Sequence, residues 1–326
     1  MNNLEPCKSV LVIGDTILDI SIHLEAVGLS LETPTIKTTK TSESKQLGGA
    51  SNVVNNILAL GSKCTFITTL DTSKRDFLDF WVHSSLDKQL IYEERENTTK
   101  SRYWVNRESS KYKYLQVNEG GNSAISKRSQ KEILQYLSLN IKKFDRVVLV
   151  DYQLGLFSSN SFIREIIDVC SSNNTQCVAS SQTSSNDSRH SLFKGCDLVV
   201  LNFDEACSND PQFKNTLSTQ SLQDNLDASV CVTLGSSGSK IGIKENQKEF
   251  SYPAFNIVVK DTCGAGDSFL SSISLLDWKN NPERSLKISN AWSALSVQNI
   301  GTHTPDLCDL KDILGASISE GEKSQD

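Results

Sequence analysis

The chain has no block of basic residues. Its 33 Lys and Arg stand against 39 Asp and Glu, a net charge of −6, and no stretch gathers enough cations to neutralise a row of phosphates. This excludes nucleic acid as the expected partner. Long apolar runs are missing too: the longest, such as Val147 to Val150, fall far short of the roughly 20 residues that a bilayer-spanning helix needs. No membrane association is expected. Residues Met1 to Lys8 are polar and lead straight into Val10 to Ile13, without the basic-then-apolar order of a signal peptide, so the expected location is cytoplasmic. The nine cysteines contain no C-x-x-C pair, which fits neither a disulfide framework nor a zinc site and predicts reduced, mostly buried thiols. Among His23, His83, His190 and His303 no two have helical ligand spacing, which argues against a histidine metal centre. Two common phosphate-binding patterns are also absent. No Gly-Lys-Ser/Thr follows a strand, and Val12 to Asp15 lacks the later glycines of G-x-G-x-x-G.

The 326 residues suffice for one large α/β domain. Val10–Ile13, Thr65–Thr68, Val147–Val150, Gln176–Ala179, Leu198–Leu201 and Val230–Thr233 read as buried strands. Helical patterns separate most of them. Val53, Val54, Ile57 and Leu58 share one helical face, as do Phe162, Ile163, Ile166 and Ile167. The alternation predicts a mostly parallel sheet flanked by helices on both sides. Residues 20–47 and 88–118 break that rhythm with extended, Thr- and Tyr-rich sequence, the second with a hairpin turning at Glu108 to Ser110; they predict a small β-strand lid. Ser180 to Ser188 reads as a loop at the carboxyl edge of the sheet. Residues 315–326 read as a flexible tail.

The segment Asp261, Thr262, Cys263, Gly264, Ala265, Gly266, Asp267 follows a strand-like run, Phe255 to Val259, and opens an apolar helix from Ser268 to Trp278. Small residues at a helix start let main-chain N–H groups approach an anion, and the helix dipole adds to the attraction. A negative side chain at that point weakens plain phosphate binding. Asp267 therefore reads as a base that takes the proton of a substrate hydroxyl while the amides stabilise a phosphoryl group in flight. The plainer alternative is a helix cap in which Asp267 only complements the dipole.

This segment resembles the carboxy-proximal signature of the PfkB, or ribokinase-like, family of carbohydrate kinases. Gly48, Gly49, Ala50, Ser51 and Asn52, followed by Asn56, Leu60 and Gly61, are similar to its amino-proximal signature. Asn202-Phe203-Asp204-Glu205 resembles the family's N-x-x-E element, and Thr233, Leu234, Gly235 and Gly238 its T-x-G-x-x-G turn. The likeness covers about residues 8–305. It implies a ribokinase-like α/β kinase domain over residues 1–314, with ATP and Mg2+ as cofactors and a sugar or sugar phosphate as substrate. Asp267 with Gly264, Ala265 and Gly266 would be catalytic. Asn202, Glu205, Thr233, Gly235, Gly238, Thr262 and Asn290 would face the nucleotide, with Glu205 holding magnesium through water. Gly48 and Gly49 would let main chain lie against the sugar, while Asn52, Asp15 and Asp19 would meet its hydroxyls. Asp15 and Asp19 have a turn-capping alternative, and Glu205 the alternative of an acidic first helical turn.

Within the family the chain resembles the heptose-7-phosphate kinases, including the kinase half of bifunctional heptose kinase/adenylyltransferases. The residues concerned are Val10 to Asp19, Ser30, Glu32, Pro34, Thr99, Lys100, Arg102, the Asp151-Tyr152 pair with Gly155, and Gly301-Thr302. A phosphorylated sugar needs cations at its far end, for which Lys100, Arg102 and Arg107 are the candidates; a solvated lid face is the alternative. The chain departs from that group at Leu154, at Ser180-Ser181-Gln182 and at Tyr114, where charged residues are expected. These departures keep open a kinase for a different sugar or nucleoside, and an inactive member acting as a binding protein. No nucleotidyltransferase domain follows, so adenylylation is expected to need a separate protein. Lid strands often pair between subunits in such relatives, which makes a homodimer an expectation.

Overall fold

The computed structural model describes residues 7–73, 78–79, 81–107, 110–182, 188–299 and 301–322. Among them a nine-stranded sheet runs in the order β13-β12-β11-β10-β9-β8-β1-β4-β5. Its strands are β1 (Ser9–Gly14), β4 (Lys63–Asp71), β5 (Leu86–Glu93), β8 (Arg146–Asp151), β9 (Gln176–Ser181), β10 (Leu198–Asn202), β11 (Ser229–Thr233), β12 (Ser239–Ile243) and β13 (Lys248–Tyr252). Every pairing from β5 to β11 is parallel, and β12 and β13 add an antiparallel edge.

Period-two alternation feeds both faces of this sheet. Leu11, Ile13, Val147 and Leu149 enter one core, which helices α2 (Lys127–Asn140), α3 (Asn160–Ser172), α4 (Phe203–Asn209), α5 (Phe213–Thr216) and α6 (Gln220–Leu226) cover. Val10, Val12, Val148 and Val150 enter the other, under α1 (Ala50–Ala59), α7 (Ala265–Leu275), α8 (Pro282–Ser296) and α9 (Leu307–Glu322). Strand order reverses at β1, flanked by β4 on one side and β8 on the other. Their carboxyl ends, Gly14-Asp15 and Asp151-Tyr152, thus mark the crevice where open α/β sheets bind ligands.

A second sheet, β3-β2-β6-β7, stands off this crevice. It is built from β2 (Thr16–Leu29), β3 (Ile36–Gly49), β6 (Thr99–Arg107) and β7 (Ser110–Glu119). Only Asp15 separates β1 from β2, so the lid grows directly out of the central strand.

Several expectations are corrected. The lid does not include residues 88–93: Leu86–Glu93 pairs in parallel with β4 and ends the main sheet. Phe255 to Val259 forms no strand; Pro253 follows β13, and the chain runs on irregularly to α7. Helix α7 starts at Ala265 rather than Ser268, which puts Asp267 inside its first turn. Helix α9 runs through Glu322, into the stretch expected to be a flexible tail, which leaves that expectation untested. The expected hairpin turn at residues 108–109, the middle of the Ser-rich loop at 183–187 and the Arg107 side chain lie outside the described residues. All nine cysteines are free thiols, and five of them are buried. Among the described residues no helix is long and apolar enough to cross a membrane.

Candidate active site

Gly264 caps α7 with φ 84°, a left-handed conformation that side chains disfavour. A Cβ placed there would lie 3.0 Å from the Asn52 amide nitrogen, so glycine also makes room for a neighbour. The Ala265 N–H turns back to the Thr262 carbonyl at 3.2 Å, and the Ser268 N–H closes the first helical bond on Gly264 at 2.9 Å. Among the described residues the N–H groups of Gly266 and Asp267 have no protein acceptor, and they remain available to an anion.

Both carboxylate oxygens of Asp267 are held. Asn52 Nδ2, from the first turn of α1, donates to Oδ2 at 2.7 Å, and the Tyr152 hydroxyl donates to Oδ1. Burial pushes the Asp267 pKa up to about 6, opposed by those two hydrogen bonds and by the charge of Lys100 and reinforced by Asp19. A carboxylate poised there ionises near neutrality, as a general base requires.

On the lid side, Asp19 and Arg102 are brought together, but against each other: Arg102 Nη1 forms an ion pair with Asp19 Oδ1. Gly48 leaves space for that carboxylate, since a Cβ at residue 48 would stand 2.4 Å from Asp19 Oδ2. Gly49 caps α1, and the following Ala50 N–H binds the Asp15 carbonyl at 2.9 Å. Lys100 pairs in register with Asp19 across β2 and β6, and its charge reaches Asp267.

Asp15 is turned toward the loop after β8. It is 2 % exposed. Its carboxylate accepts the N–H groups of Tyr152 (3.1 Å), Leu154 (3.2 Å) and Leu156 (3.3 Å). Burial and the nearby Asp151 charge raise its pKa to about 6. The capping alternative is the one found, because a buried carboxylate requires donors and the loop after β8 supplies three. Asn52 gives one amide N–H to Asp267.

At the amino end of α7 lies a cleft of about 540 Å³ walled by Phe255, Ile257, Val259, Phe269 and Ala294, with Thr233, Gly235, Gly238, Thr262, Ala265 and Asn290 on its border. An apolar slot with a few polar groups suits a heteroaromatic base. The Asn290 amide is already committed: it donates to the carbonyls of Tyr252 (2.9 Å) and Pro253 (3.1 Å) and accepts from Ser239 (2.8 Å). It therefore shapes the cleft by holding the end of β13. Thr233 and Gly266 also border a smaller pocket of about 90 Å³, lined by Asp151, Tyr152, Ser180, Gln182, Asn202, Glu205 and Asp267. The two cavities meet at the amino end of α7.

Asn202 and Glu205 form a reciprocal capping box on α4, each accepting the other's main-chain N–H at 2.8 Å. Glu205 thus contributes to an acidic first turn of α4 and also lines the small pocket. Among the described residues no three His, Cys, Asp or Glu side chains gather to cage a metal directly. The carboxylates of Asp151, Glu205 and Asp267 on the wall of the small pocket are hard oxygen donors of the kind that suits an ion keeping its own water, as magnesium does.

Three contributors escaped sequence reasoning. Tyr152 was visible only as half of the Asp-Tyr pair; its signal was its place at the end of a strand beside the reversal in strand order. Arg95 donates to the carbonyls of Leu154 (2.5 Å) and Ser123 (3.0 Å), bracing the same loop. Asp261 accepts from the N–H groups of Cys263 (3.0 Å) and Gly301 (2.9 Å), tying the amide loop to the segment after α8. The last two roles have no local sequence signal.

Known proteins resemble this chain in sequence and in fold. Bifunctional protein HldE of Sulfurimonas denitrificans is 27 % identical over 312 residues, 93 % of this chain and 63 % of that protein. HldE of Campylobacter curvus is 28 % identical over 320 residues, 94 % of this chain and 64 % of that protein. The chain thus spans less than two thirds of the length of these relatives. Among solved structures, phosphofructokinase-2 of Escherichia coli superposes with a TM-score of 0.73 at 16 % identity, covering 95 % of this chain and 99 % of that one. Arabidopsis thaliana ribokinase complexed with ribose and ATP gives 0.66 at 14 %, covering 94 % and 98 %. The fold is therefore ribokinase-like. Residues 8–307 match the family described as pfkB family carbohydrate kinase, and the chain belongs to that family.

Proposed function

We propose that the protein transfers the γ-phosphate of ATP to a hydroxyl of heptose 7-phosphate in the cytoplasm, with Asp267 as general base. The observation that carries this reading is the position of Asp267. It lines the smaller pocket beside the unpartnered amides of α7, one residue on from Gly266, which borders both that pocket and the apolar cleft, and both its oxygens are oriented. In this reading Asp267 accepts the hydroxyl proton as the sugar oxygen attacks phosphorus, and the Gly266 and Asp267 N–H groups stabilise charge on the transferred group. Bound magnesium would neutralise phosphate charge, with Asn202 and Glu205 retaining it through water. The lid strands would exclude water that otherwise competes as acceptor.

The heptose 7-phosphate assignment is supported by the Thr99-Lys100, Arg102, Asp151-Tyr152 and Gly301-Thr302 likeness, and by the Lys100 charge beside the base. A neutral sugar is the second reading, favoured by the Asp19–Arg102 pair, which takes one lid cation away from an anionic substrate. ADP release measured on heptose 7-phosphate, unphosphorylated heptose, ribose and fructose 6-phosphate separates the two. Preference for heptose 7-phosphate supports the first, and preference for a neutral sugar replaces it. The lid also carries a proposed homodimer contact, supported by the exposed Tyr114 and Leu115 on edge strand β7; sedimentation tests it.

A further inference from the structure

We propose that Tyr152 is a positioning residue for the base: clamped through its main chain by the buried Asp15, it fixes the Asp267 carboxylate and keeps it ionised. The inference rests on the reading of Asp267 as general base and names the group that tunes it.

The Tyr152 main chain is tightly determined. Its N–H, and those of Leu154 and Leu156, converge on the Asp15 carboxylate at the carboxyl end of β1. Between the first two, Gln153 takes φ 57°, a left-handed conformation rarely adopted without support. The support is present: the Gln153 N–H binds Asp151 Oδ1 at 2.8 Å, and Arg95 holds the Leu154 carbonyl from the other side. With its backbone placed, the half-buried Tyr152 ring packs against the core under α7 and directs its hydroxyl at Asp267 Oδ1.

The arrangement has two chemical consequences. First, Tyr152 and Asn52 each occupy one lone pair on a different carboxylate oxygen, so the group cannot swing, and the remaining lone pairs keep a fixed direction toward an incoming hydroxyl. Second, a donor to the ionised form lowers a carboxyl pKa against the desolvation that raises it. The charged and titratable groups acting on Asp267 are Tyr152, Lys100 from β6, Asp19 from β2 and Cys263 from the preceding loop; the contact from α1 is the neutral Asn52 amide. Burial and the Asp267 charge push the Tyr152 phenol well above its usual range, so it stays a donor throughout the working pH.

The test is Tyr152→Phe, which keeps the ring and removes the donor. In protein labelled with [13C]aspartate, the Asp267 carboxyl signal, assigned by its loss in Asp267→Asn, is titrated in the absence of substrate. The expected result is an upward pKa shift of about one unit. The acid limb of kcat with ATP and heptose 7-phosphate should move with it: turnover falls about five-fold at pH 6 and little at pH 8, because the ionised fraction drops only near the pKa. KM for ATP should be unchanged. Uniform incorporation of 3-fluorotyrosine strengthens the donor and should shift the same signal downward, which keeps the test available if Tyr152→Phe folds poorly. An Asp267 titration unmoved by either change, or a loss of turnover equal at all pH values, overturns the proposal. Should Asp267→Asn itself retain parental turnover, the base assignment fails instead, and the two failures are distinguishable.

Discussion

Asn52 and Asp267 lie 215 positions apart in the chain and share a hydrogen bond of 2.7 Å. Each comes from the first turn of a helix, α1 and α7, and the two helices pack side by side on one face of the sheet. The amino-proximal and carboxy-proximal motifs thus meet as one constellation, and their joint geometry sets the surroundings of the Asp267 carboxylate.

Replacing Asp267 by Asn should lower kcat by two to four orders of magnitude, the usual contribution of a positioned general base. Nucleotide affinity should change little, since the amides and the apolar cleft remain. Single-turnover phosphoryl transfer and calorimetric nucleotide titration check the two halves separately.

Stability of the same variant should depend on pH. Burial holds Asp267 near pKa 6, above the ordinary 3.8. The native state therefore binds a proton that the unfolded chain has already released, and that contribution, complete below pH 3.8, is lost as pH rises through 6. Asp267→Asn has no such loss, so its melting temperature relative to the parent should rise by a few degrees between pH 4 and pH 7. A difference that stays flat across this range would contradict the assigned burial. Activity runs the other way: the parental kcat should fall about ten-fold per unit below pH 6.

Arg102→Ala leaves Asp19 largely buried without its partner. The expected destabilisation is about 2 kcal/mol, less than for a fully buried pair because both side chains keep some contact with water. If the lid orients sugar, KM for the sugar should rise at least ten-fold with a smaller change in kcat. Chemical denaturation and steady-state kinetics on the same preparation provide both values.

Gly264→Ala places a side chain at φ 84° and within 3.0 Å of the Asn52 amide. The left-handed conformation alone costs about 1–2 kcal/mol, and the contact displaces Asn52 from Asp267. Turnover should fall at least ten-fold while the fold persists. A crystal structure of the variant should show the 2.7 Å bond lengthened or lost.

Much of the fold was readable from pattern. Val10–Ile13, Val147–Val150 and Leu198–Leu201 are continuous apolar runs, which only a sheet buried on both faces accommodates, and they are strands. Leu86–Glu93 misled because its mixed, half-exposed composition is that of an edge strand and resembles the lid that follows. Phe255 to Val259 misled in the opposite sense: Phe255, Ile257 and Val259 face a cleft rather than a sheet.

At the site, local sequence pattern by itself singled out the residues proposed to carry the chemistry, because it places small residues and a carboxylate together at a helix start. Asp267, Gly264 and Gly266 could be named from that local pattern. What each neighbouring polar group does was decided only by folding. Asp15 and Asp19 look equivalent in sequence, yet one anchors a loop through three main-chain donors and the other is bound to an arginine. Asn52, Tyr152 and Arg95 acquire roles through partners far along the chain. The physical reason is that a buried polar group must satisfy its hydrogen bonds, and the partner nearest in space is set by strand order and helix packing, which no local run of residues encodes.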